Sequence, residues 1–368
     1  MNIIILEPYL TGSHAAWAEE YARYSRHEIK VLGLPGRHWK WRMHGGAVTL
    51  AKIFNDADYR PDLVLAGDML DLTTFLALTR KTTARVRTAV YFHENQLSYP
   101  WSKQDPDPHD RRDVHYGFIN FTSALAADSV IFNSAYHQRS FLEALGPFLN
   151  AFPDHNEEDA VRRIEAKSHV LHLGMDLRRL DRYRTVPDPA GLPLILWNHR
   201  WEYDKRPDDF FRALFQLSAE GVGFQVAVLG EAFRERPPVF KEASSRLGGR
   251  IVRMGYVEDF ASYATWLWKA DIVPVTSIQD FFGASVVSAV YCNCYPLLPD
   301  RLAYPEHIPS EKGRDHLYRD FADLVDRLRY RLANITETRQ TNTQHFVRHY
   351  DWESMGPVYD DFFESART

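Results

Sequence analysis

Residues 278–288, IQDFFGASVVS, place an acid, Asp280, three positions before Gly283 and a hydroxyl, Ser288, five positions after it. A strand-like run, DIVPVT (271–276), leads into this segment, and a helix is expected to start at or near Gly283. The N–H groups of Gly283, Ala284 and Ser285 can then point at an anion, with the helix dipole behind them. A side chain at position 283 would block that approach. Asp280, just outside the turn, is placed to accept hydrogen bonds from sugar hydroxyls. The same residues also suit an N-capped core helix with no ligand. A second constellation stands in WNHRWEYDKRPDDFF (197–211), where Arg200 and Lys205 lie five apart after a strand. Arginine forks onto phosphate oxygens and lysine adds a mobile point charge, so the pair suits a diphosphate. Glu202, Asp204, Asp208 and Asp209 offer the alternative of a solvated, self-neutralised loop.

Three weaker signals lie earlier in the chain. EPYLTGSH (7–14) ends the first strand, and Gly12 with Ser13 opens a helix whose free N–H groups could meet a ligand. A tight corner would use the same glycine. YFHENQLSYP (91–100) brings His93 and Glu94 to a strand end. There His93 could donate a hydrogen bond to charge developing on a sugar or leaving group, or serve only the core. RHWKWRMH (37–44) interleaves Arg37, Lys40 and Arg42 with Trp39 and Trp41. Cations for phosphates and indoles for unstacked bases make an RNA footprint. The alternative is an exposed loop with both tryptophans packed inward.

These residues need a scaffold, and the hydrophobic pattern supplies one. Aliphatic runs at 2–8, 28–34, 62–67, 87–93, 128–133 and 169–174 are separated by helix-length spacers. That rhythm predicts βαβ units and a parallel sheet. DLRRLDRYRTVPDPAGLP (176–193) reads as a linker, after which strands are expected at 192–198, 224–230, 250–255 and 271–276. The predicted architecture is α/β: two doubly wound, Rossmann-like domains facing across a cleft, with ligands at the carboxyl ends of the strands. Expected boundaries are 1–176 for an N-terminal acceptor domain, 190–348 for a C-terminal donor domain and 349–368 for a closing helix. Residues 312–348 read as helical and charged. The tail is expected to bury Tyr350, Trp352, Met355, Val358 and Phe362 on one face.

The bulk properties narrow the class. A length of 368 residues suggests about two domains, and 45% hydrophobic with 25% charged residues is ordinary for a globular chain. A net charge of −5 argues against a general nucleic-acid binder while leaving room for a local basic patch. Cys292 and Cys294 make no disulfide framework or metal spacing. No basic leader and no membrane-length apolar run is present, so a cytoplasmic protein without a membrane partner is expected.

Taken together, Gly12, Arg200 with Lys205, DFFGASVVS and the tail YDWESMGPVYDDFF resemble a retaining, family-four glycosyltransferase of GT-B fold. The segments TGSH, LPGRHWKWR, YFHENQLSYP, VIFNSAYHQRSFL, WNHRWEYDKRPDDFF and AVYCNCYPLLPDRLAYPE are more closely similar to the tRNA-queuosine alpha-mannosyltransferase family. That resemblance implies transfer of mannose from GDP-mannose to the cyclopentenediol of queuosine in the anticodon loop of tRNA-Asp. It implies a sugar pocket lined by His93 and a sugar oriented by Asp280. Arg200 and Lys205 would grip the diphosphate. The remaining donor contacts would come from Gly12, Ser13, Tyr256, Val257, Phe282, Gly283, Ala284, Ser285 and Ser288. The tRNA contacts would be Arg37, Trp39, Lys40, Trp41 and Arg42, and no metal or cofactor would be required. Two positions depart from the family pattern. Asp280 replaces a glutamate, and Ser288 replaces the acid that receives the nucleotide ribose. The other readings are a GT-B enzyme with another donor or with a lipid or small-molecule acceptor, and an RNA-binding relative without catalysis.

Overall fold

Aliphatic runs bounded by turn residues become strands buried on both faces, as a sheet covered by helices on each side requires. The computed structural model describes residues 1–101, 105, 107, 114–186, 188–231 and 237–365. The chain divides into two units, Met1–Met175 with Trp352–Thr368, and Asp176–Asp351.

The first unit opens with β1 (Asn2–Leu10), α1 (Gly12–Tyr24), β2 (Glu28–Pro35), α2 (Trp39–Asp56), β3 (Leu63–Gly67) and α3 (Leu72–Thr83). It continues with β4 (Arg87–Phe92), α4 (Val114–Ala126), β5 (Ser129–Phe132), α5 (Ala135–Asn150), α6 (Glu158–Glu165) and β6 (Ser168–Val170). All six strands are parallel, in the order β2-β1-β3-β4-β5-β6. Strand order reverses between β1 and β3, which makes the carboxyl ends of those strands the expected ligand edge. Val64, Phe75, Phe92 and Phe132 anchor the core.

The second unit repeats the plan with β7 (Leu194–Trp197), α7 (Pro207–Ala219), β8 (Gln225–Leu229), α8 (Val239–Leu247), β9 (Ile251–Gly255) and α9 (Phe260–Lys269). Then come β10 (Ile272–Pro274), α10 (Ala284–Tyr291), β11 (Tyr295–Pro299), α11 (Gly313–His316) and β12 (Leu317–Tyr318). Helices α12 (Phe321–Ala333), α13 (Ile335–Gln340) and α14 (Gln344–Val347) complete it. The parallel order is β12-β11-β10-β7-β8-β9, so the reversal falls between β7 and β10. Trp197, Phe211, Val228 and Leu297 lie in its core. No described helix is long and apolar enough to cross a membrane.

Three sequence expectations change. The expected strands end at 271–276, yet a further strand follows: β11 carries Pro296 and Pro299, and all five of its residues are buried beside β10. Tertiary burial overrides the local signal there. Residues 176–193, read as a linker, lie in the second unit. Leu180 is buried and its carbonyl accepts from Trp268 Nε1 at 2.8 Å. The last helix, α15 (Trp352–Ser365), packs on the first unit through Trp352, Met355, Tyr359 and Phe363. Val358 is exposed, Phe362 is half-buried, and Tyr350 belongs to the second unit against Phe282 and His307. The apolar spacing allowed two neighbouring faces, and the aromatic partners choose between them. Trp352 lies against Tyr21 with ring centroids 5.7 Å apart, and Tyr359 donates to the carbonyl of His172. Residues 366–368 of the expected closing segment lie outside the described residues.

Candidate active site

In the second unit, the loops after β7 and β10 meet beside the strand-order reversal. The β7 loop is fixed first by its backbone. The carbonyl of His199 accepts from Trp197 Nε1 at 3.0 Å, and Gly230, at a φ of 119°, packs against that carbonyl where any Cβ would collide. Beyond it, Arg200 is half-exposed and lies 3.3 Å from Glu202. Lys205 is buried instead. Its ammonium donates to the Gln279 carbonyl at 2.9 Å and to Asp280 Oδ2 at 3.1 Å, with Asp204 Oδ2 at 3.2 Å. Burial opposes the charge on Lys205, but Asp280 and Asp204 outweigh it and hold the ammonium above its ordinary value. Burial likewise works against the Asp280 carboxylate, yet Lys205 keeps its pKa below the usual range. Asp280 also accepts from the Tyr304 hydroxyl at 2.9 Å. The two expected diphosphate cations therefore differ: Lys205 has three partners inside the unit, while Arg200 reaches solvent.

α10 begins at Ala284 behind Gly283, whose φ of 88° is a left-handed conformation that suits glycine. A Cβ there would also stand 3.0 Å from the Tyr304 ring. Asn198 Nδ2 donates to the Ser285 carbonyl at 2.7 Å, and His199 Nδ1 lies 3.1 Å from Ser285 Oγ. Two consecutive residues after β7 thus hold the first turn of α10. Ser288 Oγ donates back to the Ala284 carbonyl at 3.0 Å. Phe282 is buried, edge-on to His307 and Tyr350, and its carbonyl accepts from His307 Nε2. It holds the turn in place. Tyr256, exposed, and Val257, half-buried, follow β9 at the sheet edge, separated from β7 by β8. The structure brings together Arg200, Lys205, Asp280, Gly283 and Ser285. Sequence reasoning missed Asn198, His199 and Tyr304. Two polar residues closing the apolar run LILW were a usable signal for the first two, and nothing local marked Tyr304.

The first unit gathers a different set at the same kind of edge. Glu7 is fully buried on β1, accepting from the Tyr9 amide at 3.0 Å and from His14 Nδ1 at 3.1 Å. Gly67 on β3 makes room for this carboxylate, because a Cβ there would lie 2.2 Å from Oε2. Burial works against a charged His14, but Glu7 beside it raises its pKa to about 9, with Asp68 and Glu94 adding to the effect. His93 stands over it with ring centroids 4.3 Å apart, and its amide donates to Asp68 Oδ1 at 2.9 Å. Burial, with His14 and His137 nearby, keeps the His93 ring neutral. Its Nε2 has no partner among the described residues. Glu7, His14 and His93 bring one ligand-type atom each within 4.8 Å of one another. The short Glu7–His14 contact is already satisfied as an ion pair. Gly12, at a φ of 53°, turns the chain from β1 into α1, with Gly12 and Ser13 exposed.

The raised pKa of His14 gives a pH prediction. A group raised from 6.5 to about 9 on folding contributes stability that is complete below 6.5 and is lost as pH rises through about 9. The unfolding free-energy difference between the native chain and His14→Gln should shrink by up to about 3 kcal/mol from pH 6 to pH 10. A difference that stays constant over that range would show that His14 is not charged in the folded chain.

The basic–aromatic stretch is not the exposed loop of the alternative reading but opens a helix. α2 starts at Trp39, after His38 turns the chain at a φ of 54°. Trp39 is half-buried against Tyr116 and Trp101, at 5.2 and 6.1 Å between ring centroids. Lys40 is ion-paired with Asp105 and Asp107 and lies over both the Trp39 and Trp101 rings. Arg42 is half-buried and donates to the Pro35 carbonyl, while Arg37 is exposed and Trp41 points outward at 64% exposure. Helical periodicity separates the two tryptophans: one packs inward and the other faces solvent.

Solved structures with this architecture include sucrose-phosphate synthase from Thermosynechococcus elongatus, at a TM-score of 0.70 and 13% identity, over 99% of this chain and 98% of that one. Anabaena HepE in complex with UDP matches at 0.68 and 16% identity, over 99% and 100%. These likenesses establish the fold as GT-B. The family model described as tRNA-queuosine alpha-mannosyltransferase N-terminal matches residues 2–175. A Drosophila melanogaster protein named tRNA-queuosine alpha-mannosyltransferase is 32% identical, over 98% of this chain and 96% of its own length. With that identity spread along almost all of both chains, the chain is a glycosyltransferase and belongs to the tRNA-queuosine alpha-mannosyltransferase family.

Proposed function

We propose that this chain, in the cytoplasm, transfers mannose from GDP-mannose to a hydroxyl of queuosine in the anticodon loop of tRNA-Asp. The observation that carries the reading is the 32% identity, over 98% of the chain, to a relative named tRNA-queuosine alpha-mannosyltransferase; the GDP-mannose donor and the tRNA-Asp acceptor come from the family resemblance. The second unit supports it chemically. In this reading Arg200, half-exposed after β7, and the N–H groups that open α10 supply positive charge to the leaving diphosphate. Lys205, the second cation of the expected pair, is held by Asp280 and Asp204. His93, Asp280, Tyr256, Val257 and Ser288 take the sugar and nucleoside roles that the family implies. The acceptor oxygen bonds to the anomeric carbon on the face from which the diphosphate departs. The glycosidic C–O bond to phosphate breaks, and the hydroxyl proton passes to the phosphate. No protein nucleophile and no metal is assigned a step.

Incubation with queuosine-containing tRNA and a panel of nucleotide sugars, followed by nucleoside mass analysis, tests the reaction. A hexose mass added to queuosine only with GDP-mannose is the expected result. Addition with a different donor would correct the sugar. No addition with any donor would favour a second reading, an RNA-binding relative. One observation supports that alternative: Ser288, where the family carries an acid, ties its hydroxyl to its own helix.

The tRNA assignment gives its own prediction. Arg37, Trp39, Lys40, Trp41 and Arg42 are the proposed contacts, and the ion pairs of Lys40 shift the weight to Arg37, Trp41 and Arg42. Arg37→Ala with Arg42→Ala should reduce the magnitude of the log–log salt slope of tRNA binding by roughly 1–2, since each released phosphate contact contributes about 0.7–0.9. GDP binding should not change. Equal tRNA affinity of native and variant proteins at two salt concentrations would remove this surface from the interface.

A further inference from the structure

Ser285 is held twice from the β7 loop: Asn198 fixes its carbonyl and His199 Nδ1 meets its hydroxyl at 3.1 Å. His199 is buried, and its backbone is pinned by Trp197 and Gly230, so the ring has a fixed aim. Burial first, with Lys205 beside it, lowers its pKa to about 3 and keeps the ring neutral. A neutral imidazole carries one N–H. On Nε2 that proton would be a buried donor without a partner among the described residues. On Nδ1 it is satisfied by Ser285 Oγ. An unpaired buried donor is the more costly arrangement, so the proton belongs on Nδ1. Ser285 Oγ then accepts from the ring, and its own proton is left for another acceptor.

We propose that His199 is a positioning residue that sets the Ser285 hydroxyl, in the first turn of α10, as a hydrogen-bond donor to the diphosphate of the sugar donor. This rests on the reading that the α10 terminus receives that diphosphate. His199 itself touches no phosphate and acts only through Ser285. The role is specific to phosphate, so it separates from nucleoside binding. It also requires the two residues to behave as one unit under mutation.

Calorimetric titration with GDP and with guanosine tests this on five proteins: native, His199→Phe, Ser285→Ala, the double variant and His199→Asn. His199→Phe and Ser285→Ala should each weaken GDP binding about tenfold and leave guanosine within about twofold. The double variant should be no weaker than either single variant by more than about twofold. His199→Asn, whose amide N–H takes the place of Nδ1–H, should stay within about threefold of native for GDP. Parallel loss of GDP and guanosine affinity would overturn the proposal, as would a double variant weakened about a hundredfold. If His199→Phe does not fold, Ser285→Ala and His199→Asn still decide: unchanged GDP binding in the first, or a tenfold loss in the second, overturns it. If the native chain binds no GDP, the donor-site reading fails and this inference falls with it. If the native chain binds GDP and the variants do not differ from it, only this inference falls.

Discussion

Lys205→Ala lowers the stability of the chain by about 3–5 kcal/mol, the range for breaking a buried ion pair from one side. The reason is the company Lys205 keeps. Its ammonium stands 3.1 Å from Asp280 and 3.2 Å from Asp204, and Asp204 is almost fully buried. Removing the cation leaves two carboxylates facing each other in a place that water reaches poorly, and the Gln279 carbonyl also loses its donor. Urea unfolding at pH 7 measures the loss. Asp280→Asn should recover part of it in the Lys205→Ala background, because one of the stranded charges is gone. A loss below about 1 kcal/mol, the range of an exposed pair, would mean that this cluster is solvated.

Arg200→Ala produces the opposite pattern. The side chain is about half-exposed and its partner Glu202 is nearby, so the melting temperature should barely move. Turnover should suffer instead. If the guanidinium stabilises the departing diphosphate, its removal costs about 2–4 kcal/mol of transition-state stabilisation, a fall in kcat/KM of roughly 30- to 1000-fold. Steady-state kinetics with the tRNA acceptor measures it. A variant within about threefold of native, roughly 0.7 kcal/mol, would take Arg200 out of the mechanism. Together the two variants separate structure from chemistry in a pair of cations that the sequence presents as equals.

That contrast shows where sequence reading reached its limit. The fold class was legible, because buried parallel strands such as NIIIL and LILW are near-continuous aliphatic runs that few other structures accommodate. β11 was not legible, because its two prolines speak locally for a turn while its burial is decided by neighbours from elsewhere in the chain. At the candidate site, the five-residue spacing of Arg200 and Lys205 and the glycine ahead of α10 could be read from residue type alone. The burial of Lys205 could not, since it depends on Asp280, seventy-five residues away, and on Tyr304 behind it. The stretch 37–42 shows the same limit. Its composition offered charge and aromatic surface, but only the helical register and Asp105 with Asp107 decide which of those groups face solvent.

The position of α15 has a consequence for how the chain is made. It belongs to the first unit, yet a ribosome synthesises it only after all of Asp176–Asp351. Until then the socket for α15 is open. Tyr21 and Ser25 lack the Asp360 carboxylate that accepts from both, and Trp17 lacks the Tyr359 hydroxyl. The second unit is contiguous in sequence, whereas the first lacks these partners until α15 has been synthesised. A ribosome-bound chain ending near residue 351 is therefore the stage most vulnerable to aggregation and to proteases. A premature stop that removes only the last helix damages the unit that was synthesised first.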